Sequence, residues 1–214
     1  RIGGATRFPR AMAMGAAGDE QLAFEAGRLT AVEGRAMGVH VNLAPVADVN
    51  NNPRNPVINT RSFGEDPAKV GGLVAAYVRG LQQGGMLATL KHFPGHGDTE
   101  VDSHLGLPII THPRERLNAT ELPPFRAGMS AGAAAAMVAH IQANDGAFLK
   151  WYPQLSGGEA LQQELATYCG VGTENLLITN GSDDALILLC HGMLGAGKAA
   201  LAPTPTYEHF CVNV

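Results

Sequence analysis

The sequence is poor in the features that cross-link or anchor a protein. Its three cysteines, Cys169, Cys190 and Cys211, all fall in the last quarter of the 214 residues. An odd number without short metal-type spacing argues against a disulfide framework or a structural zinc site. Buried thiols in a reducing compartment fit instead, so the expected location is cytoplasmic. Charged residues make up 16% and the formal net charge is -4, with no basic stripe. Nucleic acid is therefore not an expected partner. No apolar run approaches the roughly 18 residues that cross a bilayer; the small-residue run Ala131–Val138 is far too short. No membrane partner is expected either. Arg1-Ile2-Gly3-Gly4 lacks the apolar core of a signal peptide, and the missing initiator Met suggests a longer parent. What is abundant is glycine, 27 residues, with alanine-rich runs and 45% hydrophobic content. That composition suits close packing of helices on a sheet.

Helical and strand periods alternate through the first two thirds. Asp19 is a suitable N-cap for a helix to Met37, with Leu22, Ala26, Leu29, Val32 and Ala36 at helical spacing and Gly38 as the stop. Val39–Ala44 reads as a strand, and 50–65 as a long polar loop rich in Asn and Pro. Pro67–Gln83 reads as a helix with Val70, Leu73, Val74, Tyr77 and Leu81 on one face. Met86–Leu90 is the next strand, Glu121–Met129 a third helix and Ala134–Ala139 a third strand. Even strand spacing with a helix in each interval predicts an α/β fold of repeated βα units and parallel strands. The period alone does not separate an open sheet from a (β/α)8 barrel, which three units cannot close.

Polar groups gather where those strands end: Asp48, then Lys91 and His92, then His140. Ligands of parallel α/β sheets bind at that edge. The densest stretch is Lys91-His92-Phe93-Pro94-Gly95-His96-Gly97-Asp98-Thr99, followed by Asp102-Ser103-His104. Lys91 and His92 can hydrogen-bond the hydroxyls of a sugar. Asp102 can orient His104 and stabilise its imidazolium, which makes a competent general acid/base. A metal bound by His92, His96 and His104 with Asp98 or Asp102 is the rival use, but the spacings match no established zinc motif.

Arg61-Ser62-Phe63-Gly64-Glu65-Asp66-Pro67, the Lys91–Gly97 stretch, Asp102-Ser103-His104 and Val41–Asn50 resemble, in order, the signature loops of glycoside hydrolase family 3. The Asp-Ser-His element is most similar to the β-N-acetylglucosaminidase branch. The resemblance covers 1–142 and implies part of a (β/α)8 barrel. It implies a small sugar or glycoside as substrate: β-linked N-acetylglucosamine or glucose at a non-reducing end, cleaved with retention and without a cofactor. It implies Arg61, Lys91 and His92 as anchors of the sugar hydroxyls, His104 as acid/base paired with Asp102, and His140 at the pocket's border. The family's nucleophile is an Asp on a later strand end, and nothing after His140 continues the pattern, so turnover would be impaired. A substitute is Asp183, which follows the apolar strand Leu176–Thr179 in Ser182-Asp183-Asp184.

Residues 143–214 have a different texture. Asn144-Asp145-Gly146, Trp151-Tyr152-Pro153, Asn180-Gly181-Ser182-Asp183-Asp184-Ala185-Leu186 and Pro203-Thr204-Pro205-Thr206-Tyr207 resemble fold-type I aminotransferases, with the histidinol-phosphate branch nearest. A strand, a Gly-Ser turn and a helix N-terminus can hold a phosphate, though an ordinary N-cap has the same sequence. The resemblance implies Gly181, Ser182 and Asp183 at the phosphate of pyridoxal phosphate and Tyr207 against its ring. The Schiff-base lysine it calls for has no match up to Val214, so transamination is not expected. The expectation is therefore two partial domains, 1–142 and 143–214, with a glycosidase-type site leading. The alternatives are a non-catalytic phosphate-binding fragment and a chimeric frame without evolved function.

Overall fold

The structure is a computed structural model that describes residues 4–101, 109–110, 112–138, 142–143 and 172–173. Helix α1 (Ala11–Ala17) leads into α2 (Glu20–Ala36), then strand β1 (Val41–Asn42), a 3-10 turn (Asn59–Arg61) and α3 (Pro67–Gln83). Strand β2 (Leu87–Phe93), β3 (Ile109–Ile110), α4 (Arg114–Ala119), α5 (Pro123–Ser130), β4 (Ala135–Val138) and β5 (Gln142–Ala143) follow. β2 is the centre of a three-stranded sheet ordered β1-β2-β4 and pairs in parallel with both neighbours. β3 and β5 form a separate parallel pair. The expected parallel βα architecture is what forms, as a partial sheet that does not close among the described residues.

The helix starts follow their caps. The Asp19 carboxylate accepts the Gln21 N–H at the head of α2, and Asp66 accepts those of Ala68 and Lys69 at the head of α3. Each satisfies donors that a helix cannot pair internally. Pro67 at the first helical position loses nothing by having no N–H. α5 starts at Pro123, leaving Glu121 and Leu122 in the preceding turn instead of inside the helix as the sequence suggested, and α4 was not foreseen.

The buried face of α2 corrects the sequence reading. Ala23, Ala26, Gly27, Ala31 and Gly34 are buried, while Leu22 and Val32 stand 53% and 48% exposed. The cause lies in the helix pair. A Cβ on Gly80 of α3 would sit 2.1 Å from the Phe24 carbonyl oxygen, and one on Gly27 would sit 2.4 Å from that of Tyr77. The two backbones touch, so the facing stripe must be made of small residues and the larger ones turn outward. On α3, Val70, Leu73, Val74 and Leu81 are buried as expected. α5 packs over β2, where the Phe93 and Phe125 rings meet edge to face at 5.4 Å.

β2 is longer than its sequence period suggested. It continues through Lys91, His92 and Phe93, because Val46 and Ala47 extend the pairing beyond β1: Val46 bridges Lys91 and the Ala47 N–H donates to the Lys91 carbonyl at 2.6 Å. Lys91 and His92 therefore project from the strand itself. This places them beside Asp48 at the C-terminal edge of the sheet. Among the described residues no helix is long and apolar enough to cross a membrane.

Candidate functional site

Asp48 organises the site. Its side chain is fully buried, and all its oxygens are engaged. Oδ1 accepts the N–H of His92 at 3.1 Å and that of His96 at 2.8 Å. Oδ2 lies 2.7 Å from Nδ1 of His92. An ionised carboxylate only accepts, so this contact puts the ring proton on Nδ1 and leaves Nε2 as the acceptor. Nη2 of Arg61 lies 3.4 Å from that Nε2, and its Nη1 donates to the Val57 carbonyl at 3.2 Å. His92 is thus fixed in ring plane and tautomer between a buried carboxylate and a guanidinium. The Lys91–His92 peptide is cis.

The long polar loop, not a strand, delivers Arg61, and buried side chains hold it. The Ser62 hydroxyl donates to the Asp48 carbonyl at 2.6 Å and accepts from the Gly64 N–H at 3.1 Å. Asn55 reaches across to the His-rich loop. Its Nδ2 donates to the carbonyls of His96 and Gly97 at 2.7 and 3.1 Å, while its Oδ1 accepts the N–H groups of Val57 and Ile58. Gly97 lets the same loop pass against Val49, since a Cβ there would fall 1.7 Å from the Val49 carbonyl oxygen. His96 is buried, with Nδ1 against the Thr99 hydroxyl. Its ring meets that of His92 edge-on at 6.0 Å.

Lys91 completes the cluster. Burial lowers the pKa of its ammonium, the positive Arg61 lowers it further, and Asp48 opposes both. Two cations are thus held near each other at a partly desolvated strand end, with the Asp48 carboxylate beneath. Such a group can donate hydrogen bonds to the oxygens of a polar ligand.

The structure brings Arg61, Lys91 and His92 together as the sequence suggested. Asp102, His104 and His140 lie outside the described residues, as do Asp183, Gly181, Ser182 and Tyr207. Among the described residues no group of three or more His, Cys, Asp or Glu is placed to hold a metal ion. Sequence reasoning missed the tethering roles of Asn55 and Ser62. It also missed a second cluster, in which Asp98 meets His112 and Arg116 at 2.5 and 3.2 Å. Arg116 also reaches the buried Glu121 at 3.4 Å. Asp98 lies fourteen positions from His112 and eighteen from Arg116, which leaves no local pattern to read.

The family model for the glycosyl hydrolase family 3 N-terminal domain matches residues 1–149. The chain belongs to glycosyl hydrolase family 3. Among curated proteins of this kind it is 41% identical over 164 residues to β-hexosaminidase A of Pseudoalteromonas piscicida, covering 75% of this chain and 26% of that protein. It is 46% identical over 121 residues to a β-hexosaminidase of Xylella fastidiosa, covering 56% of this chain and 36% of the relative. It therefore spans between about a quarter and just over a third of these relatives. Among solved structures, the family 3 β-N-acetylglucosaminidase of Paenibacillus sp. FPU-7 aligns with TM-score 0.66 at 50% identity, over 67% of this chain and 27% of the other. NagZ from Neisseria gonorrhoeae, in complex with N-trifluoroacetyl-D-glucosamine, aligns with TM-score 0.65 at 36% identity, over 79% and 51%. A second model, aminotransferase class I and II, matches residues 124–214 and overlaps the family 3 match.

Proposed function

We propose that the cluster at the end of β2 is the sugar-binding part of a retaining glycosidase acting on β-linked N-acetylglucosamine at a non-reducing end, with β-glucosides as the second substrate class. The observation that carries this is the arrangement of His92 between Asp48 and Arg61, with Lys91 beside it. Arg61, Lys91 and His92 grip the sugar hydroxyls. Relatives named as β-hexosaminidases and a neighbour complexed with an N-acylglucosamine support the substrate class. His104, oriented by Asp102, is assigned proton transfer to the leaving oxygen and later from water. His140 is assigned to the pocket's border. A retaining reaction also needs a carboxylate about 5–5.5 Å from the acid/base group. Asp48 is unsuited because its oxygens are already bonded and buried. Asp183 is the substitute that the sequence offers, and no cofactor enters this reaction.

The assignment of 143–214 to a separate aminotransferase-like segment belongs to the same reading, supported by the match over 124–214. There Gly181, Ser182 and Tyr207 are the groups assigned to pyridoxal phosphate.

Incubation with a chromogenic β-N-acetylglucosaminide and a β-glucoside tests the glycosidase reading. Hydrolysis of the first that falls about 100-fold or more in His104→Ala is the expected result. A rate unaffected by that substitution would contradict it.

A further inference from the structure

Glu121 is 1% exposed, yet the reaction outlined above gives it no part. It sits in the turn before α5, against both segments that carry the sugar-facing cluster. One is the stretch that follows Asp48. Nδ2 of Asn51 there donates to Oε1 of Glu121 at 3.2 Å. The other is the stretch that follows His92. The Gly95 N–H donates to the His92 carbonyl at 2.8 Å, and a Cβ on Gly95 would come 2.8 Å from that of Glu121. Glu121 thus touches both strand ends just beyond Asp48 and His92.

The Asn51–Glu121 pair is half satisfied. Nδ2 and Oε1 are bonded, while Oδ1 of Asn51 and Oε2 of Glu121 are buried without a hydrogen-bond partner among the described residues. With the carboxyl ionised both of these atoms are acceptors, and two acceptors cannot bond each other. A bare carboxylate oxygen in that position is costly. One proton on Oε2 removes both defects, because the acid O–H can donate to Oδ1 while the amide N–H donates to Oε1. The charges around the pair do not call for an anion. Arg116, on α4, lies 3.4 Å from Oε1 but 3.2 Å from Oδ2 of Asp98, whose charge offsets it. Its Nε also has no partner and so does not meet Oε2. Nε2 of His112, just before α4, is taken by the same Asp98 oxygen at 2.5 Å. Burial raises the pKa of the Glu121 carboxyl, against the lowering by Asn51, Arg116, the Glu121 backbone and His112. We propose that Glu121 is a neutral carboxylic acid in the folded protein, and that its reciprocal pair with the Asn51 carboxamide holds the Asp48 and His92 strand ends in register as a proton-dependent lock on the site. Asn51 and Glu121 are positioning residues.

Infrared spectroscopy of the full chain at about pH 6 reads the proton directly. A glutamate of ordinary pKa 4.5 is ionised there, so the carbonyl band of a protonated carboxyl that Glu121→Gln lacks is the expected result. Gln keeps the shape and can donate to Oδ1 of Asn51 from its own amide. Because the folded-state pKa is raised, the proton's contribution to stability is complete below 4.5 and is lost as pH climbs through the folded value. The wild-type urea midpoint should therefore fall below that of Glu121→Gln as pH rises from 4.5 to about 8. The consequence for the site rests on the sugar reading above. The ratio of the wild-type to the Glu121→Gln dissociation constant for N-acetylglucosamine should rise about threefold or more from about pH 6 to about pH 8. No protonated band at about pH 6, a wild-type midpoint that keeps pace with or gains on the variant, or a constant ratio would overturn the lock. If wild type binds no N-acetylglucosamine, the sugar reading fails, while the band and the midpoints still decide this one.

Discussion

Lys91 shows how binding and stability oppose each other at a single side chain. Its ammonium sits at a partly desolvated strand end beside Arg61, and both effects pull its pKa below the ordinary value of 10.5. A lysine with a lowered folded-state pKa contributes stability only above its unfolded value and loses it as pH falls through the folded one. At neutral pH the charged form is therefore a net cost to the fold. Lys91→Met should raise stability by about 1 kcal/mol at pH 7. The margin over wild type should shrink as pH climbs toward 10.5. Urea titrations of both proteins at neutral and alkaline pH check this, and a variant less stable at pH 7 would contradict it. Asp48 is the opposite case. Its charge is matched by two backbone donors and an imidazole, so it serves both the fold and the site.

At the scale of elements, the contact between α2 and α3 supports the sheet edge that presents the site. Their backbones approach so closely that a Cβ on Gly80 would lie 2.1 Å from the Phe24 carbonyl oxygen. Gly80→Val must push the helices apart and should cost about 3 kcal/mol. Leu22→Ser, on the 53% exposed side of α2, should stay within about 0.5 kcal/mol. Denaturant midpoints measure both, and a Gly80→Val midpoint equal to wild type would contradict the packing. Capping made the bounds of α2 and α3 legible in the sequence, since Asp19 and Asp66 act locally. The inner face of α2 was not legible. Leu22 and Val32 fit the helical period as well as Ala23 and Gly27 do, and the choice is made by the neighbouring helix. The sequence pattern makes β2 too short for the same reason: Lys91 and His92 look like loop residues until Val46 and Ala47 pair alongside them.

For the whole molecule, the parallel order β1-β2-β4 carries Asp48, Arg61, Lys91 and His92 to one edge, through strand ends and one tethered loop. Strand-end placement of Asp48, Lys91 and His92 was readable because βα repeats impose it. The Asn55 and Ser62 tethers and the Asp98–His112–Arg116–Glu121 cluster depend on contacts between distant segments, so no spacing rule revealed them. The family match over 1–149 spans the sheet and the residues Asp48, Arg61, Lys91 and His92. Under the function proposed above, this edge grips a sugar. Titration of the chain with N-acetylglucosamine, followed by calorimetry or chemical-shift change, tests it most directly, with Lys91→Met as the comparison because that variant should remain folded. Saturable binding weakened about tenfold or more in Lys91→Met is the expected result. Equal binding by both proteins, or none by wild type, would contradict the claim.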